Sequence, residues 1–501
     1  STFFFVSSEA NRFSQGQSIL SIVPTAAQLG GDMSLDYLGK AAPVIYDPNT
    51  TTVVNGKNVR TPFPGNIIPS GRIDPAMTAY AKIFLPAPNT NVSGNNYINT
   101  SPNVLNGNQG MIRIDQRFGD NNTLTGRFNI NDSHNIQPTA QPVVNNTVGN
   151  TFTNAMISDT HSFGPTTILD VRLGYHRNNL QITDNAPGGA SATAAYISTY
   201  GFQGVPSVKG IPLFPQYSVG GNFSVSQQGY PFPDDTWSLA GTVSHTTGKH
   251  LLKLGWDFRY MRNLDDGYFT GNFNFTGDPT TDPQNTATTG QAMAAYLLGL
   301  PNNALRNIGD TAAIMRKHDY SGFAQDDWQV TSRLTLNLGV RYDYLGWPVS
   351  RDNTLGSFDL NTGQYLWDGK NPVTGAGPNV RRGIVNPRYN NIAPRVGFAY
   401  RLNDKTTVRS GYGLFYSGNY LWEAQGIRGN YPYAISETQT QLNVIQPNSP
   451  IEKTFSPILT VTPGAPVPLT DQHIVNRNNK TSYTQQWNIH VQRRLTDDLI
   501  A

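Results

Sequence analysis

The chain repeats one arrangement. Two alternating stretches meet at a tight turn, then a long polar connection leads to the next pair. Residues 333 to 344 show the alternation best. Leu334, Leu336, Leu338, Val340, Tyr342 and Tyr344 share one parity, while Arg333, Thr335, Asn337, Gly339, Arg341 and Asp343 share the other. A period of two with one apolar and one polar face suits a strand between oil and water. Strand candidates fall near 2–11, 110–118, 123–134, 153–163, 167–180, 236–246, 250–262, 318–330, 333–347, 392–402, 406–418 and 482–495. Short turns such as Gly119-Asp120-Asn121-Asn122, Gly164-Pro165-Thr166 and Asn403-Asp404-Lys405 alternate with long connections near 12–109, 135–152, 181–235, 263–317, 348–391 and 419–481. Short turns on one rim and long loops on the other predict an antiparallel transmembrane β-barrel, with periplasmic turns and extracellular loops.

Composition agrees with this reading. Mean hydropathy is −0.41, which argues against a helical membrane protein but not against a barrel, whose lumen and loops are polar. The longest apolar run, Ala292 to Leu300, has nine residues, far short of the roughly 20 that a spanning helix needs. Net charge is +3 with 14% charged residues, which leaves no nucleic-acid footprint. There is no cysteine, so thiol chemistry, Cys-based metal sites and disulfides are excluded. The chain opens inside an apolar run, Phe3-Phe4-Phe5-Val6, and ends as a strand begins. It is therefore expected to be an internal piece of a longer protein.

Aromatic side chains gather near strand ends. Tyr342, Tyr344 and Trp347, Phe258 and Tyr260, and Tyr412 and Tyr416 would reach an outer belt, Trp328, near a short turn, an inner one, and Trp256 is a further belt candidate. Amphipathic rings suit both water boundaries of a membrane. Ordinary strand propensity would place such rings too. Gln291 to Leu300 reads as a short helix closed by Gly299 and Pro301, expected to pack a loop onto the barrel mouth. The Asn-, Thr-, Gly- and Pro-rich loops read as solvated surface.

Several segments carry a family resemblance. The run from Phe323 through Gln325-Asp326-Asp327-Trp328 to Leu334-Thr-Leu-Asn-Leu-Gly-Val-Arg-Tyr-Asp343 resembles the barrel of TonB-dependent receptors. The segments Thr2-Phe-Phe-Phe-Val-Ser-Ser-Glu9 and Thr61-Pro-Phe-Pro-Gly-Asn-Ile-Ile-Pro-Ser-Gly-Arg-Ile-Asp-Pro75 are similar to the Oar-like branch, which carries a carboxypeptidase-regulatory-like (carbohydrate-binding-like) N-terminal domain. Asn391-Ile-Ala-Pro-Arg-Val-Gly-Phe-Ala-Tyr400 matches a further barrel segment. The resemblance implies an outer-membrane receptor of a Gram-negative bacterium with about twenty-two strands and an N-terminal plug. Such receptors import scarce ligands with energy passed on by the TonB complex. Residues 1–501 would then be a partial barrel, without plug or C-terminal strands. Its partners would be outer-membrane lipid, the TonB complex through the missing part, and a ligand left open among saccharide, peptide and chelate.

Catalysis is not expected, nor is a cofactor or metal. The histidines show no ligand spacing. The Asp pairs 234–235, 265–266, 326–327 and 497–498 read as solvated turn and loop carboxylates. Gly411-x-Gly413 lacks the helix a phosphate loop requires and is expected to leave room for a neighbouring group. Arg127, Arg172, Arg259, Arg341, Arg395 and Arg409 share the polar parity of their strands and should face the lumen. They either pair with plug carboxylates or with Asp170, Asp257 and Asp343 on neighbouring strands, or they line an electropositive conduit for anionic ligands. The alternatives to an energised receptor are a passive porin or adhesin with the same barrel physics, and a soluble β-propeller or sandwich enzyme, which would show blade repeats.

Overall fold

The computed structural model describes residues 1–501 except 141–145, 185–186, 188, 206, 209–210, 213, 222, 226–228, 266–270, 310–312, 420, 456–472, 496–498 and 500–501. Asp266, Asp497 and Asp498 thus lie outside the described residues. Twelve long strands form one sheet in chain order, each antiparallel to the next. They are β1 (Thr2–Gly16), β2 (Pro102–Phe118), β3 (Asn122–Gln137), β4 (Asn146–Ser162), β5 (Thr167–Asp184) and β6 (Gly229–Thr247). They continue with β7 (His250–Asp265), β8 (Ala313–Gln329), β9 (Leu334–Leu345), β10 (Ile392–Asn403), β11 (Thr406–Ser417) and β12 (Ser482–Arg493). The short segment Val349–Ser350 pairs with β8 beyond the end of β9. Among the described residues β1 pairs with β2 and β12 with β11, and the two do not meet, so the sheet is open.

Every strand expected from the sequence is present, but many run further toward the long loops. β6 begins at Gly229 rather than near 236, and β2 at Pro102 rather than near 110. At 16 to 19 residues, β2 to β8 exceed the 9 to 11 or so that cross a hydrocarbon core. The extra residues lie beyond the lipid-facing stretch, where no lipid requires one face to be apolar and hydropathy no longer alternates. That is why the pattern stops short of the real strand ends.

The sheet's apolar face stays bare. Phe4 is 81% exposed, Leu254 57% and Trp487 77%, as a surface meant for lipid requires. The buried hydrophobic core lies instead in the loops, which correct the expectation of plain solvated surface. Segments from 33–85, 196–225, 273–304 and 451–455 share one cluster. Tyr80, Tyr217 and Tyr296 are fully buried there, with the Tyr80 and Tyr217 ring centres 4.1 Å apart. A five-stranded sheet runs through these loops in the order Ser224–Val225, Gln216–Val219, Asn272–Phe275, Asn303–Gly309, Ala434–Gln439.

Helices also join this cap. α1 (Pro75–Phe84) was missed in the sequence, although its signals are local. Asp74 caps it, accepting from the Ala76 and Met77 amides at 2.8 and 3.3 Å, and Pro75 occupies the first turn. α2 (Gly189–Tyr200) was also missed. α3 (Ala292–Leu297) is shorter than the Gln291–Leu300 expected and is buried in the cap core.

Arg60 fastens three loops together. Its guanidinium donates to the carbonyls of Pro279, Thr281, Val444 and Ile445 at 3.1, 3.0, 2.6 and 2.7 Å. Its Nε donates to Thr51 Oγ1 at 2.9 Å.

Candidate functional site: a charged cavity on the concave face

The polar parity of the strands faces inward and lines a cavity of about 880 Å³. β7 contributes Asp257 and Arg259, β8 Lys317 and Asp319, β9 Arg341 and Asp343, β10 Arg395, and β11 Phe415. The loop after β11 closes over it with Asn419, Leu421 and Gln425. Arg259, Arg341 and Arg395 of the six arginines singled out in the sequence therefore converge. Arg127 on β3, Arg172 on β5 and Arg409, nearer the short-turn end of β11, lie outside this cavity.

Where the arginines singled out in the sequence form ion pairs, the partner is not on a neighbouring strand, as expected, but two residues away on the same strand. Arg172 meets Asp170 at 2.7 Å, Arg259 meets Asp257 at 2.9 Å and Arg341 meets Asp343 at 2.8 Å. Arg113–Asp115 at 2.8 Å and Lys317–Asp319 at 3.1 Å repeat the pattern. Residues i and i+2 project from the same face of a strand, so an Arg-x-Asp or Asp-x-Arg sequence suffices to make such a pair. Arg127 reaches only Asn154 Oδ1, at 3.5 Å, and no ion pair involves Arg409 among the described residues.

Arg395 is held differently. Its guanidinium lies 4.6 Å from the centre of the Phe415 ring, a cation–π contact. That ring lies over Gly413, where an added Cβ would come within 2.8 Å of it. Gly413 thus makes room for an aromatic neighbour on its own strand.

Around the cavity Arg259, Lys317, Arg341 and Arg395 stand beside Asp234, Asp235, Asp257, Asp319 and Asp343. The wall is a mosaic of paired charges and not a field of one sign. Lys317 and Asp319 escaped the sequence reading. Lys317 donates to the Asn419 carbonyl, and Asp319 accepts from the Gly346 amide at 3.0 Å. Their signal was the same i, i+2 spacing seen at Arg341-x-Asp343.

The aromatic candidates occupy several levels. Trp256 and Tyr342 stand on the convex face, 41% and 40% exposed. Tyr260 lies between Trp237 and His318, with ring centres 5.3 and 4.9 Å away. Tyr344 lies beside Tyr320 and Tyr389 at 5.9 and 5.3 Å. Trp328 stacks on His250 at 5.3 Å beside the β7–β8 partner ends. Trp347 falls beyond β9 and packs against a second loop cluster that includes Met315, Leu355 and Ile427.

A family model described as outer membrane beta barrel domain matches residues 1–501. No curated protein matches the chain in sequence. Among solved structures, the chain is similar to the outer membrane transporter YddB from Escherichia coli, at 12% identity and a TM-score of 0.46, covering 82% of this chain and 40% of that one. It is also similar to the ferric-catecholate import receptor Fiu from E. coli K12, at 12% identity and TM-score 0.40, covering 79% and 50%. A third, P. aeruginosa FpvA bound to heterologous pyoverdines, shows 13% identity and TM-score 0.37, covering 64% and 36%. The chain thus spans half or less of the length of each of these proteins.

Proposed function

Because the chain belongs to the outer membrane beta barrel domain family, and so to the Gram-negative outer membrane, we propose that it is the barrel portion of a TonB-dependent, Oar-like receptor. It captures a ligand at its folded loops and passes it inward through a plugged barrel; it is a transporter and not an enzyme. One observation carries this reading over a passive pore. The long loops are folded and cross-linked, and Asn419, Leu421 and Gln425 of the loop after β11 line the charged cavity. Loops of such length are more often functional than incidental. The strand motifs around Gln325-Asp326-Asp327-Trp328 and Leu334 to Asp343 support the TonB-dependent assignment. Ligand class stays open among saccharide, peptide and metal chelate.

The test is uptake by cells making the full-length receptor, with and without TonB, using labelled oligosaccharide, peptide and ferric chelate. TonB-dependent uptake of one class supports the proposal. Uptake unchanged by loss of TonB makes the protein a passive pore, and surface binding without uptake makes it an adhesin. Replacing Arg341 and Arg395 with Gln lowers uptake of anionic relative to neutral ligands of that class; an unchanged preference gives these arginines a purely structural role.

A further inference from the structure

The loops after β9 and β11 enclose a second cavity, of about 390 Å³. Three segments wall it: the tip of the hairpin formed by Gly356–Asp359 and Gln364–Trp367, the residue Asn386, and the stretch 474–478. Polar groups tie these segments together. Asn430, fully buried, donates from Nδ2 to the Gly356 carbonyl at 2.8 Å and to the His473 carbonyl at 2.6 Å. The Val475 amide donates to Ser357 Oγ at 3.3 Å. The Asn386 amide donates to the Arg477 carbonyl at 2.7 Å, and Asn386 Nδ2 to Asn478 Oδ1 at 2.9 Å. The cavity is therefore built into the folded loops.

Those bonds use backbone, hydroxyl and carboxamide groups and leave both charged side chains of the wall free. Arg477 Nε is buried without a hydrogen-bond partner, and no carboxylate among the described residues pairs with its guanidinium. The Asp359 carboxylate accepts only from the Asn361 amide of its own turn, at 2.9 Å. A base and an acid thus line one cavity without pairing with each other. A neutral ligand covering them would strand two desolvated charges; a ligand with both a carboxylate and an ammonium would pair each. Asn361, Asn476 and Asn478 add carboxamides, which offer donors and acceptors together. Leu360 and Ile474, 73% and 46% exposed, add an apolar surface beside Phe358.

On the reading of these loops as a receptor's capture surface, we propose that this cavity binds a short zwitterionic peptide. Its C-terminal carboxylate meets Arg477 and its N-terminal ammonium meets Asp359, both through charge-assisted hydrogen bonds. The carboxamides match the donor and acceptor of a peptide group, and the apolar wall takes a side chain. The volume falls within the roughly 300–1,000 Å³ of small-ligand sites.

The test is native mass spectrometry of the full-length protein in detergent. The probes are an equimolar pool of Xaa-Leu-Ala tripeptides, free, N-acetylated or C-amidated, and maltotriose. Retention of the free peptides is expected, falling about tenfold when either terminus is blocked. Arg477→Gln should erase the penalty for the C-amide and keep that for the N-acetyl group, and Asp359→Asn should do the reverse. Each variant thus carries its own folding control in the terminus it still reads. Free peptides retained no better than blocked ones, or maltotriose retained in their place, would overturn the proposal. So would unaltered discrimination in both variants. Binding in detergent needs neither TonB nor uptake. Peptide binding with TonB-independent uptake therefore rejects the transport reading and keeps the site, while TonB-dependent uptake of another class without peptide binding does the opposite.

Discussion

Arg341 Nε donates to Asp343 Oδ1 at 2.8 Å from two residues away on the same strand, and Ser321 Oγ donates to the same oxygen at 2.7 Å from the next strand. Asp343 is thus a junction between β8 and β9. Asp343→Asn removes the charge while keeping the shape, and leaves Arg341 without a carboxylate. A loss of about 1–3 kcal/mol is expected, measured by urea unfolding of the full-length protein in detergent. Adding Arg341→Gln should recover part of that loss, and strict additivity of the two changes would show that the pair is uncoupled.

Arg60→Lys tests the clasp between loops. Lysine keeps the charge but has a single ammonium in place of the planar fork that now reaches the Pro279, Thr281, Val444 and Ile445 carbonyls. Burial already pushes the Arg60 guanidinium below its usual value, so the site tolerates charge only through those contacts. Limited proteolysis should cut the loops near 278–285 and 440–450 at least about tenfold faster, corresponding to a loss near 1.4 kcal/mol. The barrel strands should stay protected.

The cap carries its own pH dependence. Burial, reinforced by the Asp74 carboxylate, raises the Glu452 carboxyl to about 7. A raised carboxyl pKa favours the neutral form in the folded cap. Its stabilising effect is complete below the unfolded value of 4.5 and is lost as pH rises through about 7. Hydrogen exchange at 451–455 should therefore quicken from pH 5 to 8 beyond the intrinsic base-catalysed rise. Glu452→Gln should abolish that excess, and an unchanged excess would locate the titration elsewhere.

Gly413→Ala places a methyl group against the Phe415 ring, which also holds the Arg395 guanidinium. The substitution should cost about 1–3 kcal/mol by urea titration. Phe415→Leu in the same protein should restore most of it. Failure of that rescue would put the strain in the backbone and not in the ring contact.

The sequence revealed what has a period of two. Leu334 to Tyr344 announce their lipid face residue by residue, and the same alternation located all twelve strands and their order. The six arginines could be assigned to the polar parity for the same reason. The pattern failed where its cause fails. Beyond the lipid neither face is required to be apolar, and the ends of β2 and β6 carry no alternation to read. α1 was legible from Asp74-Pro75 and was passed over because the loop around it is polar.

Other features were set only by tertiary structure. Tyr80 and Tyr217 pack together from 137 positions apart, and Arg60 reaches carbonyls more than 200 residues away. Arg177, Asp235, Arg262 and Arg316 become neighbours only when four strands take up register. Alternation along a strand is local and fixes which way each side chain points. Which side chains then meet depends on hydrogen-bond register between strands and on loop packing, and neither leaves a local trace in the chain.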